Sequence, residues 1–89
     1  MNKTIILYVY DSRSTMNPVQ GMNVLLQKVG EEFSVDSVTN SDGKIVFNEN
    51  HEYDWIRITL DNDPTWIFEY VLTEPEHTFT YYEDERGVN

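Results

Sequence analysis

Two histidines, His51 and His77, each stand beside a glutamate, Glu52 and Glu76. A histidine–carboxylate pair is the raw material of a divalent-metal site or of acid–base catalysis, provided that both imidazoles converge on one point. Here each lies at a strand end or in a loop, where a lone imidazole is ordinarily solvated, so neither is assigned a metal. Asp61-Asn62-Asp63 offers oxygen ligands for calcium, but the EF-hand spacing fails because Trp66 stands where the loop needs glycine and Leu72 where it needs glutamate. A carboxylate turn closed by Pro64 accounts for these residues; a calcium site assembled from several loops, with Asp42 or Glu49, is the alternative. There is no G-x-S-x-G elbow and no Ser-His-acid spacing. With no cysteine, thiolate zinc sites, cysteine nucleophiles and disulfides are excluded. The expectation is a protein without catalytic residues, cofactor or metal.

The aromatic residues offer a different chemistry, that of contact. Tyr53, Trp55, Trp66, Phe68, Tyr70, Phe79, Tyr81 and Tyr82 crowd the last three strands that the sequence predicts. Tyrosine and tryptophan anchor protein interfaces because they bury a large area with few rotors and keep a polar tip. A chain of 89 residues has one thin core, and one side of these segments exceeds what it can cover. Tyr53, Trp55, Trp66, Phe68, Tyr70, Tyr81 and Tyr82 are therefore the candidate interface residues.

The elements that must carry them have a period of two. Lys3–Tyr10 is apolar on both faces, as a central strand would be. Asp11–Gly21 is a loop. Met22–Val29 alternates Met22, Val24 and Leu26 against Asn23 and Gln27, and Gly30-Glu31 turns into Glu32–Thr39. Asp42-Gly43 supplies the positive φ of a tight hairpin into Lys44–Asn48. Tyr53–Leu60 sets Ile56, Ile58 and Leu60 against Tyr53, Trp55, Arg57 and Thr59, and Asp61–Pro64 turns the chain. Thr65–Thr73 sets Trp66, Phe68, Tyr70 and Leu72 against Ile67, Glu69 and Val71; Glu74-Pro75-Glu76 leads to a last strand, His77–Tyr82. The spacing predicts an all-β, seven-stranded antiparallel sandwich with Leu26, Ile45, Phe47, Ile56 and Ile58 inside, a five-stranded barrel being the competitor.

Sixteen acids against six bases give a formal charge of -10. The first thirty residues hold three bases and one acid, and residues 31–89 hold three bases and fifteen acids. Such a surface repels nucleic acid and anionic membranes. No stretch approaches the roughly 20 apolar residues of a membrane span. The apolar run after Lys3 stops at Asp11 without a cleavage site, so no signal peptide is expected. The whole of 1–89 reads as one domain, with 83–89 as an acidic, solvated tail.

One stretch carries family information. Asp11-Ser-Arg-Ser-Thr-Met-Asn-Pro18-Val19-Gln-Gly21-Met22-Asn-Val24-Leu-Leu26 resembles the "D-x-x-T-G-x-P-L-x-G-A-x-V-x-L" opening of carboxypeptidase-regulatory-like domains. These are transthyretin-like (prealbumin-like), Ig-like sandwiches related to collagen-adhesin B-type repeats. Val38-Thr39-Asn40-Ser41-Asp42-Gly43-Lys44-Ile45-Val46-Phe47 is similar to the family's "T-D-x-x-G-x-F-x-F" hairpin, and Tyr53–Leu60 stands where the family has "Y-x-L-x-V". The resemblance covers residues 5–60. Pro18, Gly21, Asp42 and Gly43 fix backbone conformation, so it specifies a fold rather than an activity.

The resemblance implies two chemistries to weigh. Some such domains form an isopeptide bond between a first-strand lysine and a last-strand Asn or Asp. Lys3 and Asp84 or Asn89 are the only residues here, and a lysine at a strand's start ordinarily reaches water. Transthyretin-like hydrolases use an early histidine and a C-terminal "Y-R-G-S"; only Arg86-Gly87 matches, in what reads as a frayed end.

The function expected is that of a non-catalytic structural or adaptor subunit, binding other protein subunits of an assembly or copies of itself. The best guess is an accessory virion protein (head decoration, connector or tail) of a tailed phage, made in the cytoplasm. An acidic inhibitor that mimics DNA and a carbohydrate-binding module are the alternatives.

Overall fold

The computed structural model describes residues 3–48 and 54–87. Among them are seven strands: β1 (Thr4–Tyr10), β2 (Asn23–Lys28), β3 (Ser34–Val38), β4 (Lys44–Phe47), β5 (Trp55–Leu60), β6 (Ile67–Val71) and β7 (Glu76–Tyr82). They form two sheets, ordered β4-β1-β7 and β3-β2-β5-β6. The fold is all-β, with a single 3₁₀ turn at Glu83–Glu85 among the described residues. A barrel is excluded by the two separate sheets.

Alternation places the core. Ile5, Leu7 and Val9 of β1 and Ile45 and Phe47 of β4 point inward from one sheet. Val24, Leu26, Ile56, Ile58 and Leu60 point inward from the other. Ile5, Leu7, Val9, Leu26, Ile56, Ile58 and Leu60 are fully buried, and truncating a side chain of this kind costs about 2–5 kcal/mol. The five core residues expected from the sequence are all inside. β1 is the middle strand of its sheet, as its two apolar faces required.

Two expectations are corrected. The strands are not all antiparallel: β1 and β7 run parallel, in register from Thr4↔Glu76 to Tyr10↔Tyr82. Parallel neighbours need a long connection, and here it is the whole intervening domain. The Asp42-Gly43 turn does not close a hairpin. β3 pairs with β2 and β4 pairs with β1, so Asn40–Lys44 is a corner between the sheets. The true tight reversals are β2–β3, through Gly30 at φ 82°, and β5–β6, where Asp61 and Asn62 take φ 55° and 53°.

The corner is held by backbone contacts. Gly43, at φ 70°, is buried against β1, where Val9 N donates to Gly43 O at 2.8 Å. Val19 N donates to Val9 O at 3.0 Å, and a Cβ on Gly43 would overlap that same Val9 oxygen and press on Pro18. Pro18 itself bridges to Tyr10. Thr39, the one buried polar side chain among the described residues, donates its hydroxyl to Val19 O at 2.6 Å and accepts from Met22 N at 2.9 Å. Gly21, at φ 83°, donates to Thr39 O. Asn40 Oδ1 accepts from the amides of Asp42 and Lys44. Pro18, Gly21, Asp42 and Gly43 thus meet at one corner.

Gly30 and Gly43 share a left-handed backbone but differ in space, since nothing lies within 4 Å of a Cβ on Gly30. Gly30→Ala should cost about 1 kcal/mol, the left-handed penalty alone. Gly43→Ala should cost about 3 kcal/mol or more, because the overlap adds to it. Urea denaturation of the two variants checks this; equal losses would show that the corner tolerates a side chain.

Candidate docking faces

The outer face of β4-β1-β7 is built by the residues that alternate with the core. Its rows follow the register: Tyr10 opposite Tyr82, Tyr8 between Lys44 and Thr80, Ile6 between Val46 and Thr78, and Thr4 opposite Glu76. Three of these side chains form a stripe. The rings of Tyr8 and Tyr10 stack at 6.1 Å and those of Tyr10 and Tyr82 at 6.2 Å. A cation covers each end, with the Arg13 guanidinium 4.3 Å from the Tyr82 ring and Lys44 Nζ 5.6 Å from that of Tyr8. Arg13 is steadied by Glu85, whose carboxylate accepts from its Nε at 2.6 Å and from its Nη2 at 3.2 Å. Lys44 and Glu76 are the only charged residues in the sheet's rows, both at the rim. An interface core is marked by loss of charge and gain of tyrosine, and this face has both.

The outer face of the other sheet is mixed. Trp55 is 51% exposed beside its register partner Val71, 71% exposed. Arg57 and Glu69 form an ion pair at 3.0 Å in the next row. Asp36 lies further across.

The remaining sequence-predicted aromatics divide by depth. Trp66 (3% exposed) and Tyr81 (6%) belong to the core, which removes them as interface anchors. Phe68, Tyr70 and Phe79 are half-buried and close the open side of the sandwich between β6 and β7. Those two edge strands belong to different sheets and have no ladder between them, so large rings fill the gap. Tyr70 stacks on Phe79 at 4.2 Å, and Phe68 meets Tyr81 at 4.8 Å. The hydroxyls of Tyr70 and Tyr81 lie 2.7 Å apart in one hydrogen bond, and burial raises the pKa of both phenols. A cleft of about 480 Å³ remains on this side, lined by Phe68, Tyr70, Thr80 and Tyr82 with Arg13 and Glu85 at its edge. Tyr82 and Trp55 face outward; Tyr53 lies outside the described residues. Tyr8 and Tyr10 were missed, because a strand apolar on both faces reads as covered. The signal was present in tyrosine, not leucine, at alternate positions.

His77, Asp61, Asp63 and Lys3 each have a structural partner. His77 Nε2 accepts the Glu74 amide at 3.1 Å; His51, Glu52, Glu49 and Asn89 lie outside the described residues. Asp63 makes a carboxylate turn, its Oδ1 accepting from the amide and hydroxyl of Thr65. Asp61 and Asp63 both face Arg86, which pairs with Asp61 and brings its Nε to 3.2 Å from Asp63. The Arg86 guanidinium also covers the Trp66 ring at 4.7 Å. No cluster of three metal-ligating side chains occurs among the described residues. The tail is not frayed through Gly87: the 3₁₀ turn, the Asp84 amide on Asp11 O, and the Arg86 clasp dock it. Lys3 is not solvated either. Its Nζ meets Asp54 at 2.6 Å and its side chain is 14% exposed. Lys3 and Asp84 flank opposite ends of the β1–β7 pair, too far apart for a bond.

Asp11 organises the first loop. Its carboxylate accepts from the amides of Ser12 and Asn17, the Thr15 hydroxyl and the Asn17 side chain. These bonds, Thr15 first and then Asn17, hold its pKa at about 2, below the ordinary 3.8.

A comparison of the chain with protein-family models, with curated proteins and with solved structures found no match.

Two predictions follow from these contacts. Asp11, Asp54 and Asp63 all sit below the usual carboxylate range, through hydrogen bonds from Thr15, Lys3 and Thr65 respectively. A carboxylate with a depressed folded pKa stabilises above its unfolded pKa and loses that contribution as the pH falls through the folded value. The melting temperature should therefore fall between about pH 4 and pH 2. Asp11→Ala should melt lower at pH 7 and show a shallower acid limb. Separately, Arg86→Ala in a Trp55→Phe background should red-shift Trp66 fluorescence and cost about 1 kcal/mol. An unchanged spectrum would show that the tail does not cover Trp66.

Proposed function

We propose that this chain is a non-catalytic structural or adaptor subunit that docks onto other protein subunits of a larger assembly. The observation that carries this reading is the stripe Tyr8–Tyr10–Tyr82 on a sheet face with charge only at its rim, in a chain with sixteen acids. Tyrosines stacked side by side are already ordered, so little rotamer entropy is lost on docking. The acids keep the free chain soluble and steer it toward a basic surface.

The resemblance to carboxypeptidase-regulatory-like, transthyretin-like sandwich domains is part of this proposal. So is the assembly we favour, a tailed-phage particle with this chain as head decoration, connector or tail component. The alternatives have less support. A DNA mimic needs carboxylates along one face, whereas Glu31, Glu32, Asp42, Asp61, Asp63, Glu74 and Glu83 stand at turns and strand ends. A sugar platform needs an open indole, and Arg86 covers Trp66, leaving Trp55 alone.

A photo-cross-linking residue placed at position 8 in the native host should capture a defined protein in stoichiometric yield, while one at position 36, on the opposite sheet, should not. Tyr8→Ser combined with Tyr82→Ser should reduce incorporation at least about tenfold while lowering stability by only about 1–2 kcal/mol. Full incorporation of the double variant would overturn the reading.

A further inference from the structure

The two sheets end in four edge strands, β4 and β7 in one and β3 and β6 in the other. Exposed edges invite pairing with another chain, and proteins blunt them with shortness, charge or proline. Three of the four are blunted. β4 has four residues and opens on Lys44; β3 carries Asp36 at its middle and β6 carries Glu69 at its middle. β7 is the least blunted, with a charge only at its first residue, Glu76. It runs for seven residues, its register with β1 is unbroken, and from Thr78 to Tyr82 it holds no charge, proline or glycine. Among the described residues no strand pairs with its outer side.

We propose that β7 accepts an extended segment of a partner protein as a fourth strand of the three-stranded sheet. This rests on the docking reading and gives it a site: the added strand anchors the partner, and the tyrosine stripe beside it meets the rest.

The partner segment has a definite chemistry. A strand's side chains alternate between faces. Those turned inward meet Phe79 and Tyr81 on β7 and enter the cleft lined by Phe68 and Tyr70, so they are apolar. Those turned outward lie beside the exposed Thr78 and Thr80, where small β-branched residues fit. Charge sets the flanks. Glu74 and Glu76 stand at one end of the edge and Glu83, Asp84 and Glu85 at the other. Among the described residues only Glu85 of these five has a cation within ion-pair distance, Arg13. Arg86 is taken by Asp61 and Asp63. The segment is therefore uncharged in the middle and basic at both ends. The same charges disfavour a second copy, because antiparallel pairing of two β7 strands sets Glu74 and Glu76 of one against Glu83 and Asp84 of the other.

The test uses the full chain, labelled with nitrogen-15, and the peptide Lys-Lys-Thr-Val-Thr-Val-Thr-Val-Lys-Lys. Saturable amide shifts should centre on Thr78–Tyr82, with a Kd of about 1 mM or tighter, and the outward amides of β7 should exchange at least about tenfold more slowly. Glutamates in place of the lysines should weaken binding at least about tenfold, and methylating alternate peptide amides should abolish it. Thr80→Lys, at an exposed position, should leave the circular dichroism unchanged and weaken the lysine peptide at least about tenfold. No saturable binding of the lysine peptide, equal binding of the two peptides, or shifts centred on Tyr8 or Trp55 would each overturn the proposal. So would a β7–β7 dimer in sedimentation and intermolecular contacts. The docking reading is judged apart from all of these, by the cross-link at position 8.

Discussion

Three stretches of backbone meet at the Val9 carbonyl with no room for a side chain among them. Val19 donates to that oxygen, and Gly43 packs against it with its bare α-carbon. This contact lets the chain cross from one sheet to the other between β3 and β4 while β1 stays in the middle of its sheet. Thr39 completes it, because the crossing strips solvent from the Val19 carbonyl and the Met22 amide, and one hydroxyl serves both. An unpartnered buried backbone group costs about 1–3 kcal/mol, so a single threonine decides whether the crossing is tolerable.

Once the corner is fixed, much of the rest follows. β4 is held antiparallel to β1, which leaves β1 one open side, and β7 fills it in the parallel sense. β6 and β7 then stand as edges of different sheets on the same side of the core, with no ladder to join them. Phe68, Tyr70, Phe79 and Tyr81 close that side by ring contact, and the Tyr70–Tyr81 hydrogen bond satisfies two phenols that burial would otherwise leave costly. The crowding of aromatics near the C-terminus thus has mainly an architectural cause. The tyrosine stripe on the outer sheet face comes from β1 as much as from β7.

Strand period and phase were legible in the sequence. Ile56, Ile58 and Leu60 fix the phase of β5 and send Trp55 outward; Glu69 fixes the phase of β6 and sends Trp66 inward. The two tryptophans could have been separated on that ground alone, whereas an argument from aromatic area treated them as one set. Pairing was not legible. Asp42-Gly43 has the same local backbone requirement in a hairpin and in a corner, and which of them it makes depends on whether β4 finds β3 or β1. The direction of β7 is likewise a property of the whole chain. Arg86 was hidden for a related reason: its partners Asp61 and Asp63 stand across the β5–β6 turn, and nothing in a short window marks a cation after an acidic run as a clasp.

Charge and exposure divide this surface in a consistent way. Acids gather at turns and strand ends, where a carboxylate can cap an amide or meet a lone cation, as Asp11, Asp54, Asp61 and Asp63 do. The strand interiors of the three-stranded sheet are left almost neutral. That separation reduces the desolvation cost of covering the sheet face, since removing hydroxyls and methyl groups from water costs far less than removing carboxylates. The field of the surrounding acids meanwhile reaches about 8–10 Å at ordinary ionic strength and acts before contact. In the docking we propose, attraction at a distance and adhesion at contact therefore fall to different residues. Dilution of that field by salt should then act on the rate of docking, while loss of the tyrosines should act on the lifetime of the docked state.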